Sequence, residues 1–193
     1  MNTQTFVREI EQLIPPIPLE SDFDLTEIIN GVEIMSPSPF SRHQKIITNL
    51  SYIIISYIRK NKLGELFISP LDVILEKNLN RLQPDLLFIK KENTAIVQDW
   101  VRGVPDMVCE IVSKGSYRKD TETKRDIYER YKVPEFWIVI PELEIIKILT
   151  LKDDKYTVFS YAEIEGVVTS KVIEGLQVDI KSVFEDNTVR HEF

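Results

Sequence analysis

Pro105-Asp106-Met107-Val108-Cys109-Glu110-Ile111-Val112 is an apolar run with one acid deep inside it. A strand that is apolar at successive positions, rather than at alternate ones, is buried on both faces. The run therefore predicts a central strand in a sheet that is covered on both sides. Glu110 is then a buried carboxylate, which is costly unless it is paired or binds a metal. Fold and chemistry are posed by the same eight residues.

On the upstream side, Pro84 to Ile89 reads as a second short apolar strand, Leu66 to Leu75 as a longer one, and Asp72 falls inside the latter. Before them, Ile46, Ile47, Leu50, Ile53, Ile54, Tyr57 and Ile58 recur at helical spacing. Gly64 stands where a C-terminal cap would end that helix. Ser36-Pro37-Ser38-Pro39 breaks the chain ahead of it, residues 26–35 suggest a hairpin around Gly31, and a short helix is expected at 4–13. Downstream, 119–132 reads as a helix, Phe136 to Ile140 as a strand, and 144–151 with 155–161 as a hairpin around Asp153-Asp154. Residues 167–173 are expected to add an edge strand. The pattern predicts an α/β (α+β) fold, with a mixed central sheet flanked by helices and a β-rich C-terminal extension. It is read as one domain over 1–193: a lead and hairpin over 1–35, a core over 36–141 and the extension over 142–193.

Composition narrows the class. The 193 residues are 43% hydrophobic and 28% charged, ordinary for a globular chain. No apolar run approaches the ~18 residues that cross a bilayer, and no signal-peptide pattern stands at the start. The expectation is a soluble, cytoplasmic protein without a membrane partner. A single cysteine, Cys109, excludes an internal disulfide, and with only His43 and His191 beside it a structural zinc site is not expected. The net charge of −7 argues against nucleic acid until its distribution is read. Residues 1–33 carry −6 and 142–193 carry −5, whereas 34–141 carry +4. A local basic patch can face a phosphate backbone whatever the total.

Asp85, at the start of its strand, is a second acid in an apolar setting. Asp85 and Glu110 on neighbouring strands would repel, and a divalent cation between them would relieve both the repulsion and the burial. Oxygen ligation suits Mg2+, with Mn2+ as the alternative. Asp106 shares strand parity with Glu110, but four strand residues separate them by roughly 13 Å. In the second helix the apolar stripe is Ile127, Tyr128 and Tyr131; helical steps backward reach Lys124 and then Asp120. Lys124 either snorkels to water or points at the carboxylates, where it could orient a water and stabilise phosphate charge. Asp120 could hold it. Lys114, Arg118 and Lys119 lie between Glu110 and the helix, where a phosphate backbone could rest. Glu33 is either a surface acid of the hairpin or an extra acid entering the site. His43, on the stripe of the first helix, is read as a packed or capping residue.

These residues are similar to the PD-(D/E)XK nuclease superfamily, and more narrowly to the Uma-two family of putative restriction endonucleases. The matching text is Pro105 to Ser113, then Asp120-x3-Lys124-x3-Tyr128, then Val133-Pro134-Glu135-Phe136-Trp137-Ile138-Val139. Gly31 to Pro37 and His43 also fit, and the resemblance covers about residues 20–180. It implies metal-assisted phosphodiester hydrolysis, with Asp85, Glu110 and the Ile111 carbonyl holding the metal and Lys124 assisting the water. The superfamily's lysine normally lies two residues after the glutamate, which is Val112 here; in this branch it moves to the following helix. Three positions depart from the family: Lys132 replaces a glycine, Ile140-Pro141 an Asp-Pro, and Ser113-Lys114-Gly115 a Ser-Pro-Ser.

Two other readings stand beside an Mg2+-dependent endonuclease acting on DNA. One is a catalytically silent nucleic-acid-binding or assembly module on the same fold. The other is an unrelated α/β protein whose acids are structural. A homodimer is expected, since cutting a duplex needs two sites, with 144–173 contributing to the interface.

Overall fold

A computed structural model describes residues 25–35 and 38–185. The expected helix at 4–13 and the Ser36-Pro37 breaker lie outside those residues. The hairpin forms as β1 (Thr26–Ile29) and β2 (Val32–Met35), turned by Asn30 and Gly31 at φ 51° and 80°. Two left-handed residues make the turn that matches strand twist.

The first helix, α1, spans Ser41–Asn61 and buries Ile46, Ile47, Leu50, Ile54 and Ile58. Its left-handed cap is Lys62 (φ 54°), not Gly64. Gly64 instead opens β3 (Gly64–Ile68) at φ 155°, where a Cβ would stand 2.1 Å from the Ile89 carbonyl oxygen. Its glycine serves a close approach, not a cap. The single strand expected over Leu66 to Leu75 is two. The chain breaks at Ser69-Pro70, and β4 (Val73–Glu76) belongs to a different sheet from β3. Two short strands that carry no periodic signal, β5 (Asn80–Leu82) and β7 (Val101–Arg102), complete that second sheet.

The main sheet has six strands. β6 (Leu86–Lys90), β8 (Met107–Ile111), β9 (Glu135–Ile140), β10 (Ile145–Lys152) and β11 (Lys155–Glu163) join β3 in the order β11-β10-β9-β8-β6-β3. Only β8 and β9 run parallel; the other neighbours are antiparallel. All five residues of β8 are buried, as its continuous apolarity predicts. The small sheet, β2-β1-β5-β4-β7, packs on one face of the large one.

Strand parity assigns the two faces. Leu86, Phe88, Cys109, Ile111 and Trp137 pack against α1 and the C-terminal tail. Leu87, Ile89, Val108, Phe136 and Ile138 pack against the small sheet and α2 (Arg125–Arg130). The tail differs from expectation. β12 (Val167–Thr169) does not extend the main sheet; it pairs with β13 (Gln177–Asp179) and leads into α3 (Ile180–Phe184). Lys132, where the resemblance expects glycine, follows α2 at φ 62°. Among the described residues no helix is long and apolar enough to cross a membrane.

Candidate active site

Register brings the two strand acids together. β6 and β8 are antiparallel with Leu86 opposite Cys109, so one step further sets Asp85 beside Glu110. Asp85 Oδ2 accepts the Ile111 N–H at 2.7 Å, which continues the ladder through a side chain. The same oxygen lies 3.2 Å from Nε2 of His43. His43 is therefore more than a packed residue of α1. Burial lowers its pKa, but the hydrogen bond and charge of Asp85, with help from the Ile111 carbonyl and Asp120, outweigh that and raise it.

Glu110 shares parity with Val108, so it points to the face covered by α2 and the small sheet. Its two oxygens lie 3.0 and 3.1 Å from Lys124 Nζ, and Oε1 also accepts the Tyr128 hydroxyl at 2.6 Å. Lys124 does not snorkel: it is 2% exposed.

The helix that carries Lys124 is not a plain α-helix. Lys119–Lys124 form a π-turn that runs straight into α2. In an α-helix each step of four residues overshoots a full turn by about 40°, so Asp120 and Tyr128 would splay by about 80°. The wider π-turn offsets the overshoot. Asp120, Lys124 and Tyr128 are all buried in one row toward the sheet, with Asp120 Oδ1 at 4.0 Å from Lys124 Nζ.

The missing member is Glu27. It is buried on β1, and its Oε1 lies 2.7 Å from Lys124 Nζ, closer than any oxygen of Glu110. Oε1 also accepts the Gln83 N–H at 2.9 Å, while Oε2 meets Lys119 Nζ at 3.0 Å. Sequence reasoning considered Glu33 instead. The hairpin pairs Glu33 with Ile28, on the opposite face from Glu27 and Ile29, and Glu33 is exposed. The usable signal was parity: Glu27 stands two residues from the apolar Ile29.

Of the three basic residues expected to meet phosphate, Lys114 and Arg118 face solvent, with Arg118 3.3 Å from Glu122. Lys119 is turned inward onto Glu27. Asp106 lies at the far end of β8, where it accepts the Lys90 N–H and the Asn93 amide. Asp72, also buried, accepts from Gln83 Nε2 at 2.8 Å.

Charge in this cluster does not balance. Among the described residues, the cations that Glu27, Asp85, Glu110 and Asp120 meet are Lys119, Lys124 and His43. Burial alone would lower the Lys124 pKa, yet Glu110, Glu27 and Asp120 together raise it, so it stays an ammonium. Burial would raise Glu27, but its two lysines win and keep it ionised. The surplus falls on Glu110 and Asp120. Burial pushes both up, Lys124 pulls both down, and neighbouring carboxylates push them up again, for a net rise at each.

Among the described residues no three His, Cys, Asp or Glu side chains already form a metal cage. Mg2+ does not require one, since it commonly takes one or two carboxylates and keeps several waters. Surplus negative charge on buried oxygens, with Asp85 17% exposed at the mouth, fits a divalent cation. Glu110 retains acceptor capacity beyond the bonds it already receives.

Comparison with known proteins agrees in kind. The family model Uma2, described as "Putative restriction endonuclease", matches residues 9–181. Among solved structures, a putative nuclease belonging to DUF820 from Anabaena variabilis is similar with a TM-score of 0.69. The two are 18% identical, with 82% of this chain and 89% of that chain covered, so the likeness is one of fold. No curated protein matches the sequence.

Proposed function

We propose a metal-dependent endonuclease for this chain, which belongs to the Uma2 family of putative restriction endonucleases. The reaction is hydrolysis of phosphodiester bonds in DNA, on a PD-(D/E)XK core. One observation supports the reading: the β6–β8 register sets Asp85 beside Glu110, and Glu110 holds Lys124 of the following helix. Asp85, Glu110 and the Ile111 carbonyl would hold Mg2+ or Mn2+. The ion would supply Lewis acidity and a more acidic bound water.

The chain's own groups do the rest. Lys124 is disfavoured as a cation by burial, but Glu110, Glu27 and Asp120 together favour its ammonium form. It acts as a hydrogen-bond donor that orients the attacking water and stabilises charge on the phosphate. Asp120 and Tyr128 keep the Lys124–Glu110 pair in place. Lys114 and Arg118 offer positive charge to the flanking backbone.

The hold of Lys124 and Tyr128 on Glu110 also favours a second reading, a catalytically silent nucleic-acid-binding module in which the lysine stands in for the cation. Incubation with supercoiled plasmid and single-stranded DNA, with Mg2+, Mn2+ or EDTA, separates the two. Nicking that requires metal and disappears in Lys124→Ala and Asp85→Asn supports the enzyme. DNA binding without cleavage under every condition supports the silent module. We further propose a cytoplasmic homodimer that uses the edge strand β11, where Val158, Phe159 and Tyr161 are exposed. A monomer at tens of micromolar in gel filtration would refute the dimer.

A further inference from the structure

Lys124 is shared by carboxylates from two different sheets. Glu110 reaches it from β8 and Glu27 from β1, and the Glu27 contact, at 2.7 Å, is the shorter. Both oxygens of Glu27 are committed, one to Lys124 and the Gln83 N–H, the other to Lys119. Gln83 is two residues ahead of Asp85. A single buried carboxyl group thus ties the helix lysines to the segment that delivers Asp85. In a dry site such bonds are strong and directional.

Without Glu27, the ammonium of Lys124 would have Glu110 as its one close partner among the described residues, with Asp120 at 4.0 Å. It would settle fully on the carboxylate that a cation must use. We propose that Glu27 is a positioning residue that draws Lys124 partly away from Glu110 and so keeps that carboxylate open to a divalent cation. This inference rests on the metal-dependent reading of the site. It makes the hairpin β1–β2, which belongs to the small sheet, part of the machinery. It also gives one lysine two duties: to stabilise charge at the phosphate, and to stay off the metal ligand.

The test uses the whole chain and Mn2+ alone, followed by calorimetry or by the electron paramagnetic resonance of free Mn2+. Glu27→Gln should weaken Mn2+ binding about 10-fold, the low end of what losing a supporting partner does to a metal site. In a Lys124→Met background the same change should alter Mn2+ affinity by less than about 2-fold, because Glu27 acts through the ammonium. An equal weakening in both backgrounds would overturn the proposal and leave Glu27 as one more negative charge. Glu27→Asp should recover part of the wild-type affinity. A second readout is independent of metal: the 15Nζ resonance of Lys124 should show faster proton exchange in Glu27→Gln, and an unchanged resonance would also overturn the proposal. Should the wild type bind no Mn2+, the metal reading fails and the resonance alone decides the positioning claim.

Discussion

Two glutamates lie buried on neighbouring parallel strands, and their surroundings differ in kind. Glu135, at the start of β9, is 0% exposed. It accepts hydrogen bonds from Trp137 Nε1 at 2.7 Å, Ser170 Oγ at 2.6 Å, and the Lys171 and Val172 N–H groups at 2.6 and 3.1 Å. Every one of these donors is neutral, and among the described residues no second acid competes for them. Glu110, one strand away, sits among Glu27, Asp85 and Asp120 and leans on a shared lysine. Burial alone therefore does not mark a functional acid. A full set of fixed neutral donors makes an anchor, here pinning residues 170–172 to the sheet. A carboxylate that competes with others for too few cations is held in a state that a metal ion can relieve.

Substitution of the two residues should split stability from activity. The largest effect is expected at Glu110. Glu110→Gln keeps the shape and removes one charge from a crowded buried cluster, so folding should change little or improve. Cleavage should fall by about 10²- to 10³-fold, the scale on which one precisely placed electrostatic group acts. The pair of measurements is plasmid-nicking rate and urea denaturation of the same preparation. A Glu110→Gln variant that cleaves normally would place the chemistry elsewhere.

Glu135→Ala should do the reverse. Four donors lose their acceptor, two of them buried and two part-buried, at about 1–3 kcal/mol for each that water cannot reach, and a loss of about 4 kcal/mol overall is expected. Activity per folded molecule should hold. A variant of unchanged stability would show that water fills the anchor and would remove the contrast between the two acids.

How far these roles could be read from sequence follows from the same contrast. The placement of Asp85, Glu110 and Lys124 as candidates was legible because each interrupts an apolar pattern whose period is local. Glu135 was quoted as text but not seen as buried, since it follows Pro134 at the edge of its run and three of its four donors come from residues 170–172. Glu27 was missed because its partners are 56 to 97 residues away and the docking of the hairpin leaves no local trace. The π-turn is equally silent: helical spacing predicted the correct stripe, but nothing in Lys119–Lys124 announces a wider turn. Likewise the Leu66 to Leu75 run looks like one strand, and only the partner strands decide that its halves join different sheets.

Acidity offers a smaller but independent test. Glu110 and Asp120 are raised above their ordinary values of 4.5 and 3.8. The folded state then binds more protons than the unfolded state, so the stability these groups contribute is fullest below about pH 4 and drains away as pH rises through their folded values. His43, raised above 6.5, acts in the same direction at higher pH. Glu27, lowered below 4.5, opposes them only on the acid side. Thermal melts in EDTA should therefore show stability falling from about pH 5 to pH 8, and Mg2+ should restore more of it at pH 8 than at pH 5. A flat profile in EDTA would mean that the cluster is balanced without a cation.

The smallest effect probes the one feature the two acids share. Among the described donors to Glu110, the Tyr128 hydroxyl alone is neutral, 2.6 Å from Oε1. If Glu110 is positioned mainly by charge, Tyr128→Phe should remove only a single hydrogen bond, about 1–2 kcal/mol of stability, with a few-fold loss in cleavage as the carboxylate gains freedom. The ring should keep its place, because Tyr128 also packs 5.2 Å from Phe136, centroid to centroid. A loss as large as that of Glu135→Ala would mean that neutral donors set the geometry at Glu110 too. The two acids would then differ in their neighbours but not in how they are held, and the charge-sharing account of the site would have to give way to one built on the tyrosine.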